Sequence, residues 1–228
     1  MAGEVVTVRC PKVGEVQVVI RPPVEHLQEF WTRGKFYEPT MLGHIRKYHR
    51  GGTFIDVGAC IGNHTLYFAK FCRAALVVAV EPVATNRAHL CENVALNDFG
   101  ETRVQVLGVA LSDGAARGRM VEFWGKKTRN LGMYRLLRGE GETVVTTLDA
   151  LAVAGEWENI TVLKVDTEGS DLAILRGGAG LLERDRPAVY AELGRQGLAE
   201  GQEYLARFGY EHVTTWGATY GFEARGRA

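Results

Sequence analysis

A turn between an apolar run and a helix carries the clearest chemistry in this sequence. The run Thr53–Val57 contains Asp56 and leads into Gly58 and Gly62, with the spacing D-x-G-x-x-x-G. Glycines here let the backbone pass close to a ligand, where a Cβ would intrude. The spacing does not fit the G-x-G-x-x-G fingerprint of dinucleotide enzymes, and Asp56 would repel a pyrophosphate. The turn therefore favours a ligand that carries a cationic amine and a sulfonium.

Two further segments suit the other parts of a nucleoside. Glu81 ends an apolar run 25 positions after Asp56, where Rossmann-like folds place the carboxylate that accepts both ribose hydroxyls. The segment Ala110–Asp113 follows a third run, where an adenine ring can be sandwiched and its amine can meet Asp113 or a backbone carbonyl. An ordinary turn explains that third segment almost as well.

The run Ile160–Val165 ends in acids that could act on a substrate, Asp166 and Glu168. Ligands of open α/β sheets bind outside the carboxyl ends of the strands, so we expect Asp166 to face the reacting group. Glu168, one pleat further on the same side, could repel Asp166 and raise one pKa towards neutrality. Alternatively, Glu168 only stabilises the next helix through its dipole.

Two other side chains are candidates for the same site. His64 lies in the first turn of the helix after the glycines, so it is the alternative base, or a packing or cofactor contact. Glu192 closes the next apolar run and either lines the acceptor pocket or forms a structural pair. Asp149, Asp166, Glu168 and Glu192 are hard metal ligands, but nothing in the sequence brings three of them to one point, so we expect no metal.

The segment 117–138 contains seven basic residues and a single acid, Glu122. Its strand-like flanks, Met120–Trp124 and Thr143–Thr147, predict an insertion with a hairpin over the carboxyl edge of the sheet. One interpretation is a solvated loop. The other is a lid whose tip, with Lys126, Lys127 and Arg129, clamps an acceptor that bears a carboxylate or phosphate.

The composition limits the classes of protein that these groups can serve. The 228 residues are 46% hydrophobic, which suffices for one α/β core with a small addition. The 27 basic residues balance 27 acidic ones, so nucleic acid is not favoured as a partner. Four scattered cysteines argue against a disulfide framework. No apolar run is long enough for a membrane helix and no signal peptide is evident, so we expect a cytoplasmic protein without a membrane partner.

The elements that position these residues alternate as in a βαβ fold. Two β-rich runs, Glu4–Cys10 and Glu15–Ile20, predict a hairpin, and two helices follow before residue 50. We therefore expect an N-terminal hairpin and helical cap over 1–50 and a main domain over 51–228, with the insertion at about 115–145. The main domain has five predicted strands, Thr53–Val57, Leu76–Val80, Val104–Val109, Ile160–Val165 and Ala188–Leu193. Its predicted helices are Asn63–Cys72, Thr85–Asn97, Leu148–Ala154, Ser170–Leu182 and Ala199–Phe208, and an antiparallel pair, Tyr210–Thr215 and Thr219–Ala224, ends the chain.

The motifs together resemble those of the FkbM-type methyltransferases. The resemblance covers about residues 30–195, with small departures at Cys60 and Thr167. It includes a T-L-D-A-L helix start from Thr147, the strand end K-V-D-T-E-G from Lys164, and an L-R-G-G-A stretch from Leu175. The resemblance implies a class I Rossmann-like α/β fold and S-adenosylmethionine (SAM) as the cofactor. It also implies that Tyr37 and Glu38 close over the methionine end of SAM. The cofactor-binding residues that we expect are Tyr37, Glu38, Asp56, Gly58, Ala59, Gly62, Asn63, Thr65, Glu81, Pro82, Asn86, Ala110, Ser112 and Asp113.

The family mostly methylates hydroxyl oxygens of natural products and glycans, so the resemblance implies O-methylation of such a small molecule. N-methylation of an amine or peptide is the alternative. Two other classes are alternatives: a nicotinamide-dependent oxidoreductase, which the turn disfavours, and a non-enzymatic module that binds RNA or another polyanion. The sequence does not identify the acceptor, the oligomeric state or the pathway.

Overall fold

A seven-stranded sheet forms the centre of the molecule. The computed structural model describes residues 3–123 and 132–226. In chain order the elements are β1 Glu4–Cys10, β2 Gly14–Ile20, α1 His26–Thr32, α2 Pro39–Tyr48, β3 Thr53–Val57, α3 Asn63–Phe71, β4 Leu76–Val80, α4 Ala84–Ala95, β5 Arg103–Leu107, β6 Ala110–Leu111, β7 Ala116–Glu122, β8 Tyr134–Arg138, β9 Thr143–Thr146, α5 Leu148–Ala154, β10 Ile160–Val165, α6 Asp171–Arg176, α7 Ala179–Arg184, β11 Ala188–Glu192, α8 Gly194–Ala206, β12 Tyr210–Trp216 and β13 Thr219–Ala224.

The strand order of the central sheet is β12-β13-β11-β10-β3-β4-β5. The pairs from β11 across to β5 are parallel, and β13 runs antiparallel to both of its neighbours. The predicted plan, a parallel sheet finished by an antiparallel pair, is therefore confirmed. Because the parallel strands share one direction, their carboxyl ends meet at one edge, as ligand sites in such sheets require.

The pattern of short apolar runs predicted β3, β4 and β10 to the residue and β5 and β11 to within two residues, but it missed one helix break. The predicted helix Ser170–Leu182 is two helices, α6 and α7, separated at Gly177 and Gly178. A Cβ on Gly177 would lie 2.1 Å from the carbonyl oxygen of Ser112. Because Gly177 has no Cβ, this backbone can lie close to the segment after β6.

The N-terminal hairpin of β1 and β2 is held to the main sheet by side chains of α4 and of Asn97, two residues after this helix. The backbone N–H groups of Gln17 and Val19 donate to the side-chain oxygens of Asn97 and Asn93, each at 2.8 Å. The ring of His89 contacts the Val19 carbonyl, also at 2.8 Å. Amide and imidazole side chains thus form hydrogen bonds with backbone groups on the free edge of β2, as a neighbouring strand would.

The apolar side chains form a cluster on each face of the sheet. One contains Trp31, Phe36 and Met41 of the N-terminal segment together with Phe54 and Phe68 of β3 and α3. The predicted division at residue 50 stays a prediction, but the segment before it shares this core. Within the described residues, no helix is long and apolar enough to cross a membrane.

The insertion forms a hairpin of its own beside the central sheet. Strand β7 pairs antiparallel with β8 and, at its start, with β9. The predicted strand flank Met120–Trp124 overlaps β7, and Thr143–Thr147 overlaps β9. The predicted basic tip, Lys126, Lys127 and Arg129, lies outside the described residues.

Candidate functional site

A cleft of about 960 Å³, including its opening to solvent, lies at the carboxyl ends of β3, β4 and β10. Its lining residues come from the N-terminal helical segment, the glycine turn, the ends of three strands and the insertion. Twelve of the residues expected at a site from the sequence are among them: Tyr37, Glu38, Gly58, Ala59, Asn63, His64, Glu81, Pro82, Asn86, Asp166, Glu168 and Glu192.

The glycines of the first turn are required by the protein itself. A Cβ on Gly58, whose φ is +77°, would lie 1.8 Å from the Asp166 carbonyl oxygen. A Cβ on Gly62, φ +104°, would lie 2.6 Å from the Leu90 side chain. The sequence predicted a close approach at both positions, and the structure shows that the chain's own strand and helix make it. Gly58 also lines the cleft, whereas Gly62 begins α3 behind it.

Asp56 is fully buried and does not line the cleft. Its carboxylate accepts a hydrogen bond of 2.6 Å from the Thr65 hydroxyl and lies 3.3 Å from the Lys164 ammonium. The expectation that Asp56 and Thr65 contact a cationic ligand is therefore not supported by their position. They instead join the glycine turn to the start of α3 and to the neighbouring strand β10.

Lys164 is the residue that the sequence analysis missed. It is 2% exposed and its ammonium lies 3.3 Å from carboxylate oxygens of both Asp56 and Asp166. Burial lowers the pKa of Lys164, but the two carboxylates outweigh burial and raise it above its ordinary value. A lysine in the apolar run Ile160–Val165 was itself a signal, because lysine is almost never buried without a partner.

Asp166 connects this buried ion pair to the cleft, since its side chain is 30% exposed. Burial opposes its ionisation, but the Lys164 ammonium is stronger, so the pKa of Asp166 lies below its ordinary value. Glu192 shares a hydrogen bond with Asp166, and burial together with the Asp166 charge raises the pKa of Glu192 to about 9. At neutral pH the pair is an ionised Asp166 beside a protonated Glu192.

The expected pairing of Asp166 with Glu168 on one pleat is wrong. Strand β10 ends at Val165, and Glu168 has a φ of +55°, so the alternation of a strand does not continue to it. Glu168 still lines the cleft, and burial followed by the charge of Asp166 raises its pKa. Glu192 becomes the partner because Val165 and Ala191 are in register on adjacent parallel strands.

His64 and Glu38 form a pair on the opposite wall. The His64 Nε2 lies 2.9 Å from the Glu38 carboxylate, and both side chains are largely buried. Asn63 fixes this wall, because its side chain accepts from the Tyr37 N–H at 3.0 Å and donates to the Tyr37 carbonyl at 3.2 Å. Burial, followed by the charge of Glu38, raises the pKa of Tyr37 to about 12, so Tyr37 is a neutral hydrogen-bonding group.

Glu81 lies at the end of β4 with its carboxylate held by the backbone. One oxygen accepts from the Cys60 N–H and the other from the Val83 N–H, each at 2.8 Å. Burial raises the pKa of Glu81 to about 7, against the effect of these two hydrogen bonds. Each oxygen keeps a second lone pair, so the group can accept two further hydrogen bonds, as a ribose diol would require.

A smaller apolar cavity, of about 300 Å³, adjoins the cleft and shares Gly58 and Pro82 with it. Ala110 lines it together with Val80 and Leu136. Ser112 and Asp113 line neither cavity. Instead the half-exposed Asp113 pairs with Arg138 at 2.5 Å, and Ser112 donates to Asp113 at 3.3 Å. The predicted adenine contact of these two residues is thus not supported by their position, whereas that of Ala110 is compatible with the cavity.

The insertion contributes Met120, Gly132 and Tyr134 to the cleft wall, so its hairpin does lie over the carboxyl edge of the sheet. Among the described lining residues Lys164 is the single lysine or arginine, against five acids. The five acids are Glu38, Glu81, Asp166, Glu168 and Glu192. The cleft therefore favours a cationic ligand.

The FkbM methyltransferase domain family matches residues 56–223. This chain belongs to the FkbM methyltransferase family. Membership makes it a SAM-dependent methyltransferase domain, with SAM as the cofactor.

A solved structure agrees with this fold. The FkbM methyltransferase from Methylobacillus flagellatus KT is 18% identical, with a TM-score of 0.55 over 82% of this chain and 46% of that chain. The present chain thus spans less than half of that protein. TYW2 of M. jannaschii, solved with AdoMet, is 13% identical over 98% of this chain and 89% of its own, with a TM-score of 0.49. No curated protein sequence matches the chain.

The described residues fit SAM as a group. The backbone-held Glu81 suits a ribose, the apolar cavity beside Ala110 suits an adenine ring, and the acidic cleft suits the sulfonium and ammonium. The cleft and the cavity beside it thus offer chemically suitable surroundings for each part of SAM.

Proposed function

We propose that the chain transfers the methyl group of SAM to a hydroxyl oxygen of a small natural product or sugar. The observation that carries this proposal is the ionised Asp166 in the cleft, fixed from behind by Lys164. A charged carboxylate with open lone pairs is a strong acceptor for a hydroxyl hydrogen bond and so can orient an acceptor oxygen. Methyl transfer needs mainly this alignment, because SAM supplies a methyl carbon that is already activated.

The protonation states of the site assign a role to each acid. Asp166, ionised before transfer, accepts the hydrogen bond of the acceptor hydroxyl. It takes the proton of that hydroxyl as the oxygen bonds to the methyl carbon, while the methyl–sulfur bond breaks and S-adenosylhomocysteine leaves; the proton then passes to solvent. Protonated Glu192 donates a hydrogen bond to the Asp166 carboxylate and so holds it in place. We propose Tyr37, Asn86, Ala59 and Pro82 as further walls of the cofactor site, since each lines the cleft.

His64 is a second candidate for the proton acceptor. Its ring is oriented by the Glu38 carboxylate at 2.9 Å, the arrangement that holds an imidazole for proton transfer in many enzymes. Changing His64 to Asn distinguishes the two assignments, because a general base contributes about 10²–10⁴-fold to turnover.

The chemical class of the acceptor follows from the charge of the cleft. Five acids and one paired lysine favour a neutral polyol over an anionic acceptor. The same acids also favour an amine, which keeps N-methylation as the second candidate function. The proposed clamp of Lys126, Lys127 and Arg129 on an anionic acceptor stays a prediction, to be tested through the salt dependence of the Michaelis constant in a triple Ala variant.

Methyl transfer from labelled SAM to matched alcohols and amines tests this proposal. We expect transfer to hydroxyl compounds, and Asp166→Asn should lower their turnover about 10²–10⁴-fold while the dissociation constant of SAM changes little. Asp113→Asn, at the surface, is the matched control and should keep parental turnover. Transfer to amines alone, or an Asp166→Asn variant with parental turnover, would overturn the assignment.

A further inference from the structure

A second group of polar side chains lies at the end of the sheet opposite the cleft. His44 belongs to α2, His49 follows α2, and Glu223 lies near the end of β13. Because β13 runs antiparallel to β11, its end lies beside the start of the parallel strands, whereas the cleft lies at their carboxyl ends. This group is thus separate from the cofactor site.

The three side chains converge closely enough to share one ion. A potential ligand atom of each lies within 4.8 Å of those of the other two, and the His49 Nε2 lies 3.8 Å from the Glu223 carboxylate. Around a tetrahedral zinc ion with bonds of about 2.0–2.1 Å, ligand atoms are roughly 3.3 Å apart. Side-chain rotations that move the ligand atoms by roughly 1–2 Å therefore bring them to the spacing that zinc requires.

His44 provides an independent reason to expect a ligand here. Its Nε2 is buried and has no hydrogen-bond partner among the described residues. A buried polar atom without a partner costs free energy, and coordination of a metal ion would remove that cost. The rings of Tyr48 and Trp216, with centroids 4.6 and 4.9 Å away, hold the His44 ring in place.

His49 is also oriented before any ion binds. Its Nε2 lies 2.7 Å from the hydroxyl of Tyr190, a buried residue of β11. The same nitrogen faces the Glu223 carboxylate, so an ion bound to it would displace the Tyr190 hydroxyl from this contact. An open cleft beside His49 and Glu223 gives an entry path from solvent.

We propose that His44, His49 and Glu223 form a zinc site, with water in the fourth position. Two imidazoles and one carboxylate are a ligand set of Zn²⁺, whereas Ca²⁺ and Mg²⁺ prefer oxygen ligands. The bound ion joins α2 to β13 and so stabilises the packing of the N-terminal segment on the sheet.

Calorimetric titration of the tag-free, chelator-treated protein with Zn²⁺ tests this site, with Co²⁺ absorption as the readout of tetrahedral coordination. We expect one ion per chain and a higher melting temperature in its presence. His44→Ala and Glu223→Gln should each abolish both effects. Tyr190→Phe, which keeps the ring and removes the hydroxyl that competes for His49 Nε2, should bind Zn²⁺ at least as tightly as the parent.

His212→Ala is the matched control. His212 is an exposed histidine paired with Phe222, on the opposite face of the sheet from Glu223. This variant should bind zinc as the parent does, and SAM binding in all variants reports on an intact fold. Absence of one-to-one binding, or parental binding in folded His44→Ala and Glu223→Gln, would overturn the proposal.

Discussion

The turn after β3 and the turn after β10 lie side by side, yet the chain uses them differently. Just before the first turn, Asp56 of β3 is fully buried, and Gly58 in the turn packs directly against the backbone of the second turn. In the second, Asp166, Thr167 and Glu168 all line the cleft. Lys164 pairs with the carboxylates of both Asp56 and Asp166. The comparison teaches that two acids bound to one lysine acquire different roles from what lies on their far side, which is protein for Asp56 and the cleft for Asp166.

Removal of the shared cation should have the largest effect on this arrangement. Lys164→Met leaves the buried Asp56 carboxylate without its partner, so we expect a loss of about 3–5 kcal/mol in the free energy of unfolding. Denaturant unfolding measures this loss. Lys70→Met, at an exposed lysine, is the control and should stay within about 0.5 kcal/mol of the parent. Equal losses in the two variants would contradict a buried ion network.

A matched pair of glycines compares the two turns directly. Gly58→Ala places a Cβ 1.8 Å from the Asp166 carbonyl, whereas Gly169, also at positive φ, has nothing within 4 Å. Overpacking and backbone strain together should cost Gly58→Ala about 2–5 kcal/mol, and strain alone should cost Gly169→Ala about 1–2 kcal/mol. Thermal and denaturant unfolding of both variants measure the difference. Losses of the same size would contradict direct packing of Gly58 against the backbone of the second turn.

Glu81→Ala should affect the cofactor rather than the fold of either turn. The variant removes the carboxylate proposed to accept the ribose hydroxyls, so SAM binding should weaken by about 1–3 kcal/mol. Calorimetry with SAM gives the dissociation constant. Asp113→Ala, which removes an acid expected from the sequence but placed at the surface, should bind SAM as the parent does. An unchanged affinity in Glu81→Ala would place the ribose elsewhere.

The smallest effect is a proton released when SAM binds. With a pKa of about 9, Glu192 is protonated in the free protein near pH 7.5. An arriving sulfonium lowers that pKa, so a fraction of the molecules lose this proton while the rest keep the hydrogen bond to Asp166. Calorimetry in buffers with different ionisation enthalpies should detect release of a fraction of one proton, which should fade as the pH rises through about 9. Glu192→Gln should lose this release, and an unchanged value would assign the proton to another group.

The sequence predicted the sheet better than the site. Fully buried strands such as Leu76–Val80 are continuous apolar runs between turn residues, so their bounds follow from burial on both faces. The partner of Asp166 depends instead on which strand lies next to β10 and on the conformation after Val165. Spacing along the chain favoured Glu168, whereas the register with β11 brings Glu192.

Contacts between segments distant in the chain also explain the other differences between the predicted and the observed site. Asp113 follows the third run as an adenine ligand should, but the insertion supplies Arg138 as its partner. The motif that begins at Lys164 predicts no role for this lysine, although its burial requires a partner from another strand. His44 and Glu223 are 179 positions apart in the chain, so no local pattern could bring them together.

The side chains that bind the free edge of β2 impose an order on biosynthesis. The hairpin leaves the ribosome before its partners Asn93 and Asn97, which follow 74 and 80 positions later. At translation rates of about 5–20 residues per second, the edge waits roughly 4–16 s for them. During that time its N–H and C=O groups are open to strands of other nascent chains. Chaperones that bind extended segments would therefore act on this protein early, before the cofactor cleft exists.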